Sequence, residues 1–585
     1  MDGPIAKGGG FLDHRLIPLE PNIRFATDLL SDQNRLEVIV KFHGSLEEIA
    51  RQLDGTPEQL NENYAILTIP LSSFSQLFTV RGVEYFEMPK AMAYMLQRSM
   101  EQSCIPPVQR ERGFNLRGSG VLIAIIDSGI DYTHPDFRNT DGSSRILYLW
   151  DQSLEGASPP GFGRGRLFTK EELDVALQSP DPYSLVPSRD TIGHGTAVAG
   201  VAAGNGNGND ERDVGAAPEA ELIVIKLERS GAIGFAMSTA IMRGVKFALD
   251  IATQLERPVA INISNGTNEG AHDGASLFEQ YLDSASERWK SVICVATGNE
   301  GSAGHHFHGV AAEKRVNYAE MVVGENVRSL YITLWKNFVD VIDFELISPS
   351  GQSTGNIAAT QSVTITALDR VQVSVLYGQP NHYTTSQEVY FSLNALGEAI
   401  PQGLWRLAYT GNRIIDGRFD IWLPTTDAVT RQTAFLVPNL QNTITIPATA
   451  YKVISVGAYN SFLNTSTDFS GRGMPYGRYG QKPDLVAPGV NVLSTKTGGG
   501  YDSFTGTSIA TPFVTGSAAL MLEWGNVRGN DPFLYGERIK AFLCRSAARS
   551  FPRTYPNPEW GYGALNLCDT MSELTTLNQR GGAFR

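Results

Sequence analysis

The stretch Val121-Leu-Ile-Ala-Ile-Ile-Asp127-Ser-Gly-Ile-Asp131 decides how the rest of this 585-residue chain is read. An unbroken apolar run stops at a carboxylate, the pattern of a strand buried on both faces of a parallel sheet. Outward from it, similar runs recur at Glu221–Leu227, Val259–Ile263, Val292–Ala296 and Val453–Val456, and helical patterns fill Phe235–Leu255 and Ser508–Trp524. Buried strands alternating with helices predict an α/β fold with a doubly wound parallel sheet. Such sheets gather their sites beyond the carboxyl ends of the strands, where Asp127 stands.

Two segments depart from this pattern. Up to about Ser99 the chain reads as a small α/β unit: strand Leu36–Phe42, a helix over 45–53 with Ser45 as N-cap, strand Tyr64–Ile69, a short helix Leu71–Phe78 and strand Val80–Met88. Pro89–Ser103 then reads as an extended tail. From about Ala312 to Leu423 seven short β-like runs follow one another: Ser329–Trp335, Val341–Ile347, Ser362–Leu368, Val371–Tyr377, Glu388–Asn394, Gly403–Tyr409 and Gly417–Leu423. Their spacing, with Pro, Gly and Asn between, predicts an antiparallel sandwich inserted into the α/β pattern. The expected domains are 1–99, 100–311, the insert 312–423, and 424–585.

The bulk properties exclude several classes. Net charge is −13, so the basic footprint of a sequence-independent nucleic-acid binder is missing. No apolar run approaches the ~18 residues of a membrane span. Met1–Ser31 shows no basic stretch followed by an apolar one, so no secretory signal peptide is expected and synthesis in the cytoplasm is. Cys104, Cys294, Cys544 and Cys568 are too few and too scattered for a disulfide framework, and no CxxC pair suggests zinc.

Three short motifs carry chemistry. Asp127 ends the opening strand, Gly193-His194-Gly-Thr-Ala-Val-Ala-Gly200 starts a helix of small residues with a histidine, and Gly506-Thr-Ser508-Ile-Ala-Thr-Pro512 starts another helix with a serine. A serine hydroxyl is a weak nucleophile until a base takes its proton. Histidine is that base, and a carboxylate fixes its tautomer and steadies the imidazolium. Asp127, His194 and Ser508 are therefore the candidate catalytic residues, in the chain order Asp, His, Ser.

With all three motifs in this order, the chain resembles the subtilisin-like serine proteases from about Cys104 to Asn566, apart from the insert. The resemblance implies the subtilisin-like doubly wound fold and extends to further positions. Val292-Ile-Cys-Val-Ala-Thr-Gly-Asn299-Glu-Gly301 is similar to the segment that supplies the oxyanion-hole asparagine, which makes Asn299 that donor beside the Ser508 backbone N–H. Ser264-Asn265-Gly266 resembles the P1 side of the substrate cleft, with Asn265 where leucine is common. Glu228-Arg-Ser230-Gly231 resembles the edge that pairs with substrate backbone. Phe469-Ser-Gly-Arg472, Pro483-Asp-Leu-Val-Ala-Pro488 and Trp560-Gly-Tyr-Gly563 are further family-like punctuation.

The first unit then resembles a subtilase prodomain, a chaperone and inhibitor bound in the cleft by its tail. Self-cleavage is expected near Met95-Leu96-Gln97-Arg98-Ser99. Prodomain, subtilase core and a jelly-roll-like sandwich between Asn299 and Ser508 are together similar to the clostridial Csp proteases. That resemblance implies spore association and activation of a cortex-lytic zymogen during germination. Two function classes stay open: an active serine endopeptidase that processes itself and then a protein substrate, and a pseudoprotease-like signalling partner whose cleft its prodomain occupies. The chemistry needs no cofactor. Subtilases often bind structural calcium, but no ligand set can be placed here. Asn205–Asp210 has a carboxylate only at its far end and reads as a flexible surface loop. The metal-like look of His305-His-Phe-His308 reads as a packed or solvated segment, so no metal site is assigned. The long segment Ile146–Pro187, with its loop Ser158–Gly163, either borders the cleft or covers the surface.

Overall fold

A computed structural model describes residues 35–60, 63–87, 95–209, 214–229, 235–288, 290–358, 363–378, 384–430, 432–474 and 481–581. The chain divides into two units, Met1–Ala93 and Tyr94–Arg585.

The first unit is an antiparallel sheet in the order Thr56–Gln59, Tyr64–Pro70, Arg35–Phe42, Val83–Glu87. Alternate residues of its inner strands, Val38, Val40, Leu67 and Ile69, point inward with Ile49 and Leu53 from the helix side to make a small core. Ser45 caps the helix Leu46–Gln52 as expected, accepting from Glu48 N at 3.3 Å. The edge strand Thr56–Gln59 was not anticipated: its four residues are exposed and carry no apolar periodicity, and Pro57 fits only at an edge.

The second unit is built on a nine-stranded, mostly parallel sheet. Its central order is Ile454–Asn460, Ser291–Ala296, Val259–Ile263, Leu122–Asp127, Glu221–Lys226, Ile146–Asp151. The opening run behaves as its composition demands. Ile123 and Ile125 enter one core, with the helices His194–Ala203 and Thr507–Leu522. Leu122, Ala124 and Ile126 enter the other, with Ser238–Gln254 and Leu277–Ser286. Helices on both faces make the sheet doubly wound. Ile146–Asp151 extends it, and Phe162 in the neighbouring loop lies against Trp150, their ring centroids 4.7 Å apart. That loop therefore covers a core face.

The insert forms two antiparallel sheets around one core. Six strands run in the order His306–Val310, Arg418–Trp422, Ser329–Asn337, Ser386–Ala395, Val371–Tyr377, Val363–Leu368, and four in the order Val341–Ile347, Gly403–Arg413, Val316–Val323, Ala434–Phe435. The strands reach from His306 to Phe435, beyond the expected 312–423. His306–Val310 escaped sequence reading because the polar groups on one of its faces find a partner across the sheet: His306 Nε2 and His308 Nδ1 both lie 2.9 Å from Asp420 Oδ1.

One expectation is corrected. Met95–Gln102 is a helix rather than part of an extended tail, with Ser99 and Met100 buried and the helix packed against the strand Val492–Thr495. Cys104 and Cys568 form a disulfide, with Cα atoms 5.5 Å apart across 464 positions of sequence, a pairing that spacing alone could not give.

Candidate active site

The strands Ser291–Ala296, Val259–Ile263 and Leu122–Asp127 lie side by side and parallel. Their carboxyl ends therefore present Asn299, Ser264–Gly266 and Asp127 along one rim. Two helices supply the rest. His194 opens His194–Ala203, Ser508 is the second residue of Thr507–Leu522, and the two helices pack together. Small residues permit this approach and that of the Asp127 turn: a Cβ on Gly516 would lie 2.9 Å from the Ala202 carbonyl oxygen, and one on Gly195 would lie 2.2 Å from the Gly129 carbonyl oxygen.

His194 Nδ1 lies 2.7 Å from Asp127 Oδ1, which also accepts from Ser128 N at 2.7 Å. Asp127 is buried. Burial works against the imidazolium, but the charge and hydrogen bond of Asp127, with the charges of Asp190 and Asp427, outweigh it and raise the His194 pKa above its usual value. Asp127 thus stabilises the charged form that general-base catalysis creates.

The histidine loop has an anchor that the motif reading missed. Asp190 Oδ2 accepts from Thr196 N at 2.9 Å and Thr196 Oγ1 at 2.7 Å, and its Oδ1 accepts from Gly193 N at 2.8 Å. Ser128 Oγ donates to Asp190 Oδ1 at 2.9 Å and accepts from Gly195 N at 2.9 Å. Asp190 and Ser128 between them therefore take up the Gly193, Gly195 and Thr196 N–H groups at the start of the His194 helix and link them to the Asp127 turn. The signal was an Asp just before a Gly-started helix of small residues, a capping pattern.

On the serine side, Asn299 Oδ1 accepts from Thr507 N at 3.0 Å and Thr507 Oγ1 at 3.1 Å. These bonds fix which way the amide faces. A Cβ on Gly506 would lie 3.1 Å from Ser508 Oγ and 3.5 Å from Asn299 Nδ2, so hydroxyl and amide nitrogen converge on one small volume. Ser508, in the first turn of its helix, contributes an N–H with no intrahelical acceptor. The predicted P1 segment is tied to the same helix: Thr515 Oγ1 donates to Asn262 Oδ1 at 2.9 Å, Asn262 Nδ2 to Ser264 Oγ at 2.9 Å, and Ser264 Oγ to the Ser508 carbonyl at 3.2 Å. Gly266 and Gly298 flank Thr445, whose Oγ1 would lie 2.3 and 2.5 Å from a Cβ on either. Asn265, between Ser264 and Gly266, is half-buried.

The structure thus brings Asp127 to His194 and Asn299 to Ser508, with Ser264–Gly266 beside the serine helix. Ser230 and Gly231 lie outside the described residues. Met95–Ser99 lie on the helix Met95–Gln102. Cys294 is buried under the site, and burial pushes its thiol up to about 12, which keeps it protonated. Among the described residues no group of three or more His, Cys, Asp and Glu side chains is placed to hold a metal ion. His305 faces Glu300 and a backbone carbonyl, and His306 and His308 face Asp420. In the loop expected to be flexible, Asn205 and Asn207 donate to the Arg138 carbonyl, and Gly208 N donates to Asp136 at 2.9 Å.

Fold and site together define a subtilase. The Subtilase family (Peptidase S8) matches residues 118–385 and 430–563, and the chain belongs to that family. The Csp protease B prodomain matches residues 22–90. The solved structure of the Clostridium perfringens CspB protease is 39% identical with a TM-score of 0.76, covering 82% of this chain and 97% of that one. The PI-type proteinase of Lactococcus lactis subsp. cremoris is 25% identical over 498 residues, 73% of this chain and 24% of the relative. Serine protease AprX of Bacillus subtilis (strain 168) is 25% identical over 294 residues, 48% of this chain and 58% of the relative. The chain thus spans about a quarter to just over half the length of these two curated relatives. Among the described residues no helix is long and apolar enough to cross a membrane.

Proposed function

We propose that the chain is a serine endopeptidase that cuts itself between prodomain and core and then cleaves a protein substrate. Ser508 Oγ attacks the scissile carbonyl carbon while His194 takes the hydroxyl proton, and Asp127 steadies the imidazolium. The carbonyl oxygen, now an anion, accepts from Asn299 Nδ2 and Ser508 N. Collapse breaks the C–N bond, His194 protonates the leaving amine, and water then releases the acyl group by the same steps in reverse order. No cofactor takes part. Ser264–Gly266 and the Glu228–Gly231 edge receive the substrate chain around the bond.

The single observation that carries this reading is the orientation of Asn299. Its carbonyl is held by Thr507, which turns the donor toward Ser508. The Csp protease B prodomain match and the likeness to the CspB protease support the finer reading. The first unit stays in the cleft as an inhibitor after cleavage, the protein is spore-associated, and its substrate is a cortex-lytic zymogen activated at germination. A bond in an intact helix is not extended for attack. The cut therefore belongs at the N-terminal end of Met95–Ser99, with the first turn of the helix unwound when the bond is attacked.

The test is the reduced intact mass and N-terminal sequence of the purified protein beside Ser508→Ala. Wild type should split near Met95–Ser99 and the variant should stay whole. If the variant matures when purified alone, the nucleophile is misassigned. If both stay whole, the signalling-partner reading takes its place.

A further inference from the structure

The turn that follows Asn299 is braced from the insert. Glu300 and His305 are both buried. Glu300 Oε2 lies 2.6 Å from His305 Nδ1, and Glu300 Oε1 accepts from Thr426 N at 3.0 Å. His305 Nε2 lies 3.0 Å from the Thr433 carbonyl oxygen. A carbonyl only accepts, so Nε2 carries a proton, and a second proton sits between Nδ1 and the carboxylate. Around this pair, Leu423 N donates to the His305 carbonyl at 2.9 Å and Phe435 N to the Gly304 carbonyl at 2.9 Å. Asn268 Nδ2, just beyond the P1 segment, donates to the Leu423 carbonyl at 3.0 Å. Leu423, Thr426, Thr433 and Phe435, which run from the end of Arg418–Trp422 into the strand Ala434–Phe435, are thus fastened to the residues next to Asn299 and Gly266. On the core side, Gly301 N donates to the Phe469 carbonyl at 2.8 Å, and a Cβ at Gly301 would lie 2.2 Å from the Ser470 carbonyl oxygen.

We propose that Glu300 and His305 are positioning residues for the oxyanion hole, and that through them the connection between the insert's strands Arg418–Trp422 and Ala434–Phe435 holds Asn299 in register with Ser508. This rests on the endopeptidase reading above. A buried pair suits the task because each partner is fully engaged. Removing one leaves the other desolvated and unpaired, and the turn must move to rehydrate it. A shift of about 1 Å at a catalytic group can cost on the order of a hundredfold in rate. The sandwich is then a brace for catalysis as well as a packed insert.

The distinguishing experiment measures labelling of the full chain by a rhodamine fluorophosphonate, which reacts with an activated serine through the same oxyanion hole and separates kinact from KI. His305→Gln can reach Glu300 or Thr433 but not both. It should lower kinact by about tenfold or more with KI within about threefold. Glu300→Gln can replace every hydrogen bond, its amide oxygen accepting from Thr426 N and its NH2 donating to a neutral His305. It should keep kinact within about threefold. Because the pair acts through Asn299, adding His305→Gln to Asn299→Ala should cost less than about twofold more. Should His305→Gln fail to fold, Glu300→Asp, one methylene too short to span both partners, enters the same cycle. Fully additive losses, or an unchanged kinact in His305→Gln, overturn the positioning role while leaving the endopeptidase reading intact. If wild type shows neither Ser508-dependent labelling nor Ser508-dependent self-cleavage, both readings fall.

Discussion

Asp427 lies outside the triad, on an exposed stretch next to Thr426, yet its charge is among those that raise the His194 pKa. The base must be neutral to accept the serine proton, so a raised pKa moves the acid limb of the rate profile upward. Asp427→Asn removes one source of that shift, and the acid limb of fluorophosphonate labelling against pH should move to lower pH. An unmoved limb would mean that solvent screens the charge completely. The three catalytic residues and Asn299 were legible because each sits in a motif whose neighbours are small for a steric reason, seen at Gly195, Gly506 and Gly516. Glu300 and His305 were not. Their partners, Thr426 and Thr433, come from the far side of the insert, and nothing local marks the pairing.

Among the elements, the His194 helix depends most on one outside side chain. Its residues are small and apolar, and its N-cap, Gly193, has no side chain with which to cap it. Asp190 supplies the acceptors instead. Asp190→Ala should destabilise the second unit by about 1–3 kcal/mol, the usual cost of leaving buried donors unsatisfied. The loss should appear in urea denaturation, with a fall in labelling rate larger than the stability loss explains. Most strands with continuous or alternating apolar runs were read correctly, although Ile146–Asp151 and Val316–Val323 were passed over. Those held by polar side chains across a sheet, such as His306–Val310, were not, because periodicity records burial and not pairing. The helix Met95–Gln102 was missed because its buried residues dock on Val492–Thr495, almost four hundred positions away.

At the scale of the molecule, the doubly wound sheet and an all-β insert were both plain in the order of patterns, whereas the insert's edges were not. Its outermost strands, His306–Val310 and Ala434–Phe435, are short and belong to sheets whose other members lie inward in sequence. The disulfide joins a residue near the start of the second unit to its last helix, Leu567–Gly581, beside a backbone hydrogen bond from Leu567 N to the Ser103 carbonyl at 3.0 Å. Closing so long a loop restricts the unfolded chain. Cys104→Ser should therefore lower stability by about 2–4 kcal/mol, read as a lower urea midpoint. An unchanged midpoint would show that the helix docking alone holds the ends together.

The same bond turns nearly all of the second unit into a covalent ring. A single nick anywhere between Cys104 and Cys568 opens the ring without releasing a fragment, adding only one water to the mass. On a non-reducing gel such a molecule runs as one band near its parent, and only reduction separates the pieces. A cut before Cys104 lies outside the ring, so on a denaturing gel the leading segment separates without reduction. Comparing reduced and unreduced samples therefore sorts maturation, whose piece separates on denaturation alone, from internal damage, which stays hidden until the sulfurs part.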